Sequence, residues 1–221
     1  LNTGLIETRG LSNYGIALDL NNLNSASNIL NKGIINVKGD KSGGIVLKGS
    51  IGNTDDNVVN EGNINITSST SFGIYSNVSD TKYVNEGNID LTSAANSIGL
   101  RNEGGLLKNG SNGIINLTNG TNNIGLYSTD GTTENKGKII ISNGTDNIGI
   151  YAKGSGTSVV NSGEINAVSS GKIKGIAVTD NADITNTKDI KLNGQSGSVG
   201  IYASNYGTFT SSGTGDVDIK V

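Results

Sequence analysis

The sequence predicts an all-β protein, a right-handed parallel β-helix of about eight coils of roughly 25 residues with three short strands in each. Two glycine-centred motifs repeat along the 221 residues: Asn-x-Gly-x-Ile-x-aliphatic, and a small polar residue followed by x-Gly-Ile or x-Gly-Leu. Successive glycines of the first motif are 24 to 29 residues apart, and a glycine of the second motif follows 11 or 12 residues after each. A period of this length is typical of solenoids, in which one repeat forms one coil.

Each repeat contains three short extended segments. One follows the first glycine, as in Ile64 to Thr67; one surrounds the second glycine, as in Phe72 to Ser76; and one precedes the next motif, as in Tyr83 to Asn85. Clusters of Gly, Asn, Ser and Asp separate the segments, and these residues favour turns. Three strands in about 25 residues predict one coil of a parallel β-helix.

Alternation within the first segment indicates strands that are buried on one face. Ile64 and Ile66 are apolar, and the residue between them is Asn65. The first of these apolar positions is occupied in successive repeats by Ile6, Ile35, Ile64, Ile89, Ile115, Ile139, Ile165, Ile190 and Val217. A period of two with apolar residues inside is that of a half-buried strand. Leucine-rich repeats share the repeat length, but their Leu-x-x-Leu-x-Leu pattern is missing, and left-handed hexapeptide helices need a shorter coil.

An asparagine precedes the first glycine in most repeats. The residues concerned are Asn2, Asn31, Asn60, Asn85, Asn135, Asn161 and Asn186. Asparagine tolerates left-handed backbone angles, and identical amides stacked coil on coil form hydrogen-bonded ladders. We therefore predict a structural asparagine ladder in preference to a ligand site.

One repeat departs from the second motif. Lys174 occupies a position that other repeats fill with apolar residues. Those residues are Phe72, Ile98, Ile124, Ile148 and Val199. A lysine at an apolar position predicts a bulge or a local change of register there.

Composition narrows the function classes. The net charge is −3 and the Lys and Arg residues are scattered, so we expect no nucleic-acid partner. Cysteine and histidine are absent, so we expect no disulfide, metal site or cofactor. Asp55 and Asp56 lie in a loop that we interpret as solvated in preference to calcium-binding. No signal peptide or membrane-spanning stretch is visible, so we expect no membrane insertion by this segment.

The repeat pattern resembles the passenger regions of bacterial type V autotransporters, most closely the large fusobacterial outer-membrane adhesins. The resemblance lies in repeats such as Asn60-Glu61-Gly62-Asn63-Ile64-Asn65-Ile66 followed by Ser71-Phe72-Gly73-Ile74-Tyr75, and it covers the chain from Asn2 to Val221. It implies that residues 1–221 are one β-helix domain, a fragment of a longer passenger displayed on the bacterial cell surface. It also implies adhesion to a protein or glycan receptor on a host or bacterial surface, without identifying that receptor.

The best candidate binding residues form one outward row. Two residues after the second glycine the chain carries Tyr75, Arg101, Tyr127, Tyr151 and Tyr202. If the preceding Ile or Leu points inward, alternation places this row on the surface. Aromatic rings beside an arginine stack on sugars or anchor protein partners. The alternative is that the tyrosines, which favour strands, stack on one another for stability.

Two rival functions remain open at this stage. The first is a pure structural spacer that holds a distal adhesive region away from the cell. The second is a β-helical polysaccharide-degrading enzyme or phage tail spike, which needs positioned carboxylates. Outward acids such as Glu7, Asp90 and Asp218 are scattered and no nucleophile motif is present, so we expect no enzymatic activity. We expect a monomer whose exposed end strands allow end-to-end stacking.

Overall fold

The computed structural model describes residues 1–19, 28–49, 57–79, 82–211 and 217–220; the loop carboxylates Asp55 and Asp56 lie outside these ranges. Within them the chain forms parallel strands and no helix. The strands fall into three sheets of nine, eight and eight members, and each strand pairs with its equivalents one repeat before and after. The chain therefore winds as a three-sided parallel β-helix, which confirms the fold class predicted from the repeats. The right-handed sense follows the strong preference of parallel connections for right-handed crossovers.

The three sheets correspond to the three predicted segments of each repeat. The first sheet comprises Leu5–Thr8, Ile34–Val37, Asn63–Ile66, Asn88–Thr92, Ile114–Thr118, Lys138–Ser142, Glu164–Val168, Ile190–Asn193 and Val217–Lys220. The second comprises Tyr14–Asp19, Gly43–Lys48, Phe72–Ser76, Ile98–Asn102, Ile124–Thr129, Asn147–Lys153, Ile173–Thr179 and Val199–Ser204. The third comprises Asn28–Asn31, Asn57–Asn60, Lys82–Asn85, Leu106–Asn109, Thr132–Asn135, Ser158–Asn161, Asp183–Asn186 and Thr208–Ser211.

Register places identical residue types on top of one another. Ile64 pairs with Ile35 on one side and with Ile89 on the other. All three are fully buried. Asn65, the next residue after Ile64, is half-buried on the outer face. The core is therefore a set of stacked aliphatic rows, and each coil contacts mainly its two neighbours, as in other solenoids.

The predicted asparagine ladder is present, and it is buried. In each step the Nδ2 of one asparagine donates to the Oδ1 of its equivalent in the next coil, at 2.6 to 2.9 Å. The ladder consists of Asn2, Asn31, Asn60, Asn85, Asn109, Asn135, Asn161 and Asn186. All members except Asn2 are completely buried. A buried amide costs free energy unless it is hydrogen-bonded, and the ladder supplies those bonds.

Asn109 is the member that the sequence pattern did not reveal. In most repeats the ladder asparagine lies two residues before the motif glycine, but Asn109 precedes Gly113 by four residues. The extra residues form a turn in which the backbone N–H of Gly113 donates to the carbonyl of Gly110. Glu86 of the preceding coil accepts from the backbone N–H of Asn112 at 3.0 Å. The insertion is thus held outside the coil, and the ladder continues without a break.

The second-motif glycines allow the second sheet to pack closely against the first. A Cβ added at Gly99 would lie 2.6 Å from the carbonyl oxygen of Gly125 and 2.8 Å from Cγ2 of Ile115. Both distances are shorter than van der Waals contact allows for a Cβ atom. Gly99 and Leu100 are therefore two consecutive inward residues of the strand Ile98–Asn102. One consequence is that the residue before each such glycine points outward.

This arrangement corrects the expectation for Lys174. The strand Ile173–Thr179 continues in normal register, with Lys174 paired to Ile148 and Val199. Because Gly175 turns inward, the residue before it lies on the outer face, and Lys174 is half-buried there. Lysine fits this position because its aliphatic stem covers the sheet while its ammonium reaches solvent. The predicted bulge is therefore wrong.

The ladder gives a first prediction about stability. Asn85→Ala removes two ladder bonds: the one that Asn85 Nδ2 donates to Asn109 and the one that Asn85 Oδ1 accepts from Asn60. Because buried polar groups are left unpaired, we expect the free energy of unfolding to fall by about 2–4 kcal/mol. Asn65→Ala is the matched control, since Asn65 lies on the outer face and makes one such bond, to Asn36. We expect it to cost less than about 1 kcal/mol in urea unfolding. Equal losses for the two variants would contradict a structural role of the buried ladder.

The close approach of the sheets gives a second prediction. Gly99→Ala forces a methyl group against Gly125 and Ile115, so we expect the free energy of unfolding to fall by at least about 2 kcal/mol. Gly4→Ala is the control, because a Cβ there would meet no heavy atom within 4 Å. It should leave the urea midpoint almost unchanged. An unchanged urea midpoint for Gly99→Ala would show that Gly125 and Ile115 can move away from the added methyl group without loss of stability.

Candidate functional site

The predicted outward row is continuous in the structure. Equivalent positions on consecutive strands of the second sheet pair in register, about 4.8 Å apart. The row reads Ala17, Val46, Tyr75, Arg101, Tyr127, Tyr151, Ala177 and Tyr202. Its four central members are half-buried and contact one another. We call Tyr75, Arg101, Tyr127 and Tyr151 the tyrosine–arginine patch.

Arg101 lies between two tyrosine rings of the patch. Its guanidinium carbon is 5.3 Å from the ring centroid of Tyr75 and 5.9 Å from that of Tyr127. Both distances are within the range of cation–π attraction. The rings of Tyr127 and Tyr151 meet edge to face, with centroids 5.5 Å apart. The patch is therefore held together by contacts among its own side chains.

Glu103 is part of the site, although sequence analysis did not identify it. Its Oε1 accepts from Nε of Arg101 at 2.7 Å, and Nη2 of Arg101 contacts the same oxygen. Its Oε2 accepts from the hydroxyl of Tyr75, also at 2.7 Å. An acidic residue two positions after the arginine, on the same side of the chain, was the available signal. Glu103 thus joins residues of two neighbouring coils.

The tyrosine hydroxyls have different environments. Burial, as the main cause, and the hydrogen bond to the Glu103 carboxylate together raise the pKa of Tyr75 to about 12. Both causes favour the protonated phenol. Burial also raises the pKa of Tyr127. The hydroxyl of Tyr151 lies 3.3 Å from Oγ1 of Thr179. At neutral pH the phenols of Tyr75 and Tyr127 are therefore protonated.

A second outward row runs beside the patch. It consists of apolar residues that precede the second-motif glycines: Phe72, Ile98, Ile124 and Ile148. These side chains are half-buried, and the ring centroid of Phe72 is 5.3 Å from that of Tyr75. The outer face of the second sheet is therefore apolar along one row, and the next row carries the tyrosines and Arg101. Such a combination of apolar surface and polar ends is typical of binding surfaces.

Tyr202 does not join the patch. It pairs in register with Ala177, which separates it from Tyr151. Its side chain is 43 % exposed, and the Nζ of Lys174 lies 5.9 Å from its ring centroid. Of the five predicted site residues, the structure thus brings four together and leaves the fifth about two coils away.

Acidic groups outside the patch are mostly paired with cations or amides. Glu7 pairs with Arg9 and Lys38, and these partners lower its pKa. Asp90 accepts from the amide of Asn116. In the described ranges, no group of three or more His, Cys, Asp and Glu residues is placed to hold a metal ion. The same ranges contain no helix long and apolar enough to cross a membrane.

Comparison with protein-family models, with curated proteins and with solved structures gives no match for this chain. The functional argument consequently depends on the repeat pattern, the fold and the geometry of the patch.

The environment of Tyr75 can be tested by titration. We expect the phenolate absorbance of the parent protein minus that of Tyr75→Phe to give a curve centred near pH 12, because burial and the Glu103 hydrogen bond stabilise the protonated phenol. Ultraviolet absorbance measures the curve, and circular dichroism reports that both proteins remain folded. A difference curve centred near pH 10, the ordinary value, would mean that the Tyr75 hydroxyl is free in solvent.

Proposed function

We propose that this chain is a passenger segment of a type V autotransporter of the fusobacterial outer-membrane adhesin type. It works on the bacterial cell surface as a rigid β-helical stalk, and it carries a receptor-binding surface of its own. The receptor is a protein or glycan on a host or bacterial surface. The segment acts as a monomer, with end-to-end stacking as its mode of self-association, and it uses neither catalysis nor a cofactor.

The stalk function is supported by the continuity of the three sheets. Every strand is hydrogen-bonded to its equivalents in the neighbouring coils, and about eight coils at ~4.8 Å give a rod roughly 40 Å long. The buried ladder adds seven side-chain bonds parallel to the rod axis. Bending the rod would lengthen the hydrogen bonds between strands on its convex side. A structure of this kind holds a binding surface at a fixed distance and orientation.

The observation that carries the adhesive function is the tyrosine–arginine patch. Four residues from four successive coils form one contiguous surface with an aliphatic row beside it. Tyr and Arg are the residue types enriched at the energetic centres of interfaces. Their rings are pre-organised by the sheet, so binding needs little ordering of side chains.

The second candidate function is a spacer without a ligand. One observation favours it: the patch residues satisfy one another, through the cation–π contacts of Arg101 and the hydrogen bond between Tyr75 and Glu103. Stacked tyrosines stabilise sheets in the absence of any ligand. The two functions differ in whether removal of the rings abolishes binding in a folded protein.

The test uses a triple variant, Tyr75→Ser with Tyr127→Ser and Tyr151→Ser, and measures binding to host cells and to other bacterial cells by flow cytometry. We expect at least a tenfold loss of binding, because the aromatic surface is removed. Tyr202→Ser should bind like the parent, because Tyr202 lies outside the patch.

The control for surface change is Ile114→Ser with Ile140→Ser, two half-buried residues on the outer face of the first sheet. Circular dichroism verifies folding of all variants. Parent-like binding by the triple variant would exclude the patch as the receptor site. Absence of binding by every protein, including the parent, would favour the spacer.

A further inference from the structure

Glu103 has a role in the patch that goes beyond support of the strand. Its two carboxylate oxygens are divided between two partners: one accepts from Arg101 and the other from the hydroxyl of Tyr75. The side chain is 26 % exposed, and that of Arg101 is 39 % exposed. A single carboxylate at the edge of the sheet therefore fixes both the position of the guanidinium and its electrostatic balance.

We infer that Glu103 is a positioning residue that holds Arg101 against the rings of Tyr75 and Tyr127 and neutralises it, so that the patch binds an uncharged glycan chain running along the helix axis. This inference rests on the proposed adhesive function and specifies its ligand. Three observations support it: the size of the patch, its charge and its chemistry.

The patch by itself covers less area than a stable protein interface. Four coils at ~4.8 Å and a five-residue strand at ~3.3 Å per residue cover roughly 300 Å². A stable protein interface needs about 800 Å² on each partner. A single glycan chain can bind to a smaller area. The row of four side chains on successive coils forms a continuous surface parallel to the helix axis along which such a chain can lie.

The arginine of the patch and the lysine in the strand of Tyr151 each have a carboxylate partner. Arg101 is bonded to Glu103, and Lys153, in the strand that carries Tyr151, lies 3.7 Å from Asp180. The chain as a whole carries a net charge of −3, which repels anionic polymers. An acidic or sulfated glycan would therefore meet a cation that is already paired. An uncharged glycan does not need a free charge.

The chemistry of the patch matches that of neutral sugars. A sugar ring has an apolar face of C–H groups, which packs on the electron-rich face of an aromatic ring. Its hydroxyl groups each need both donors and acceptors, and the guanidinium and carboxylate of the Arg101–Glu103 pair offer both side by side. Phe72 and Ile98 continue the apolar surface on one side.

The experiment compares the parent chain, Glu103→Gln and Glu164→Gln on an array of neutral oligosaccharides and their sulfated counterparts. Glu164 is the matched control, because it pairs with Lys138 on the first sheet, away from the patch. We expect the parent and Glu164→Gln to bind neutral members and not the sulfated ones. Glu103→Gln should lose at least fivefold in binding of the neutral members and gain binding of sulfated ones, because Arg101 is released and no longer neutralised.

A second measurement tests positioning without a ligand. Glu103→Gln removes the carboxylate, so the pKa of Tyr75 should fall below the value of about 12 in the parent protein. Glu164→Gln should leave that pKa unchanged. Unchanged titration in a folded Glu103→Gln protein would overturn the positioning role. The phenolate absorbance difference against each variant's own Tyr75→Phe derivative isolates this one tyrosine.

Other outcomes separate the failure of this inference from failure of the proposed function. Preference of the parent for sulfated glycans, or equal glycan binding by Glu103→Gln and the parent, would overturn the inference. Binding of the parent to cells through the patch, without binding to any glycan of the array, would also overturn it and leave the adhesive function in place. No binding to cells or glycans would remove the adhesive function as well.

Discussion

The structure depends on one constraint: each coil must lie on the previous one at the spacing of hydrogen-bonded strands, about 4.8 Å. At that distance equivalent residues of adjacent coils touch, so the side chain at an inward position must pack on its equivalents in the neighbouring coils. Isoleucine does so through its branched aliphatic side chain, glycine through its backbone, and asparagine through amide-to-amide hydrogen bonds. The three residue types that dominate the repeat are therefore three solutions to the same stacking problem.

The asparagine ladder shows how this constraint tolerates irregularity. Repeat lengths vary by several residues, yet the ladder steps stay within 2.6 to 2.9 Å because additional residues are placed outside the coil. At Asn109 the inserted turn is held by Glu86 of the coil before it. A buried amide must find its partner at one position, so the ladder fixes the register that aliphatic rows alone would leave free to slip. Variation in loop length is thereby confined to the surface.

The inward positions could be predicted from the sequence, whereas part of the outer face could not. Ile64 and its equivalents alternate with polar residues along their strands, and that period of two alone shows that their side chains point inward. The same rule failed at Lys174, because the glycine after it and Ile176 both turn inward and break the alternation. The sequence pattern does not reveal two consecutive inward residues. They result from the close approach of the second sheet to the first, which is a property of the folded structure.

The residues of the candidate site likewise divide into those that the repeat predicts and one that it does not. Tyr75, Arg101 and Tyr127 could be placed in one row by counting from the glycines, because repeats convert equal sequence positions into neighbours. Glu103 could not, because its bond to the Tyr75 hydroxyl joins different positions of the repeat, 28 residues apart. Residues with equal positions supply a regular surface, and a residue outside the repeat supplies the asymmetry that a specific ligand requires. In this chain the side chain that departs from the periodic pattern is Glu103, and it lies next to the arginine of the patch, where we propose that the ligand binds.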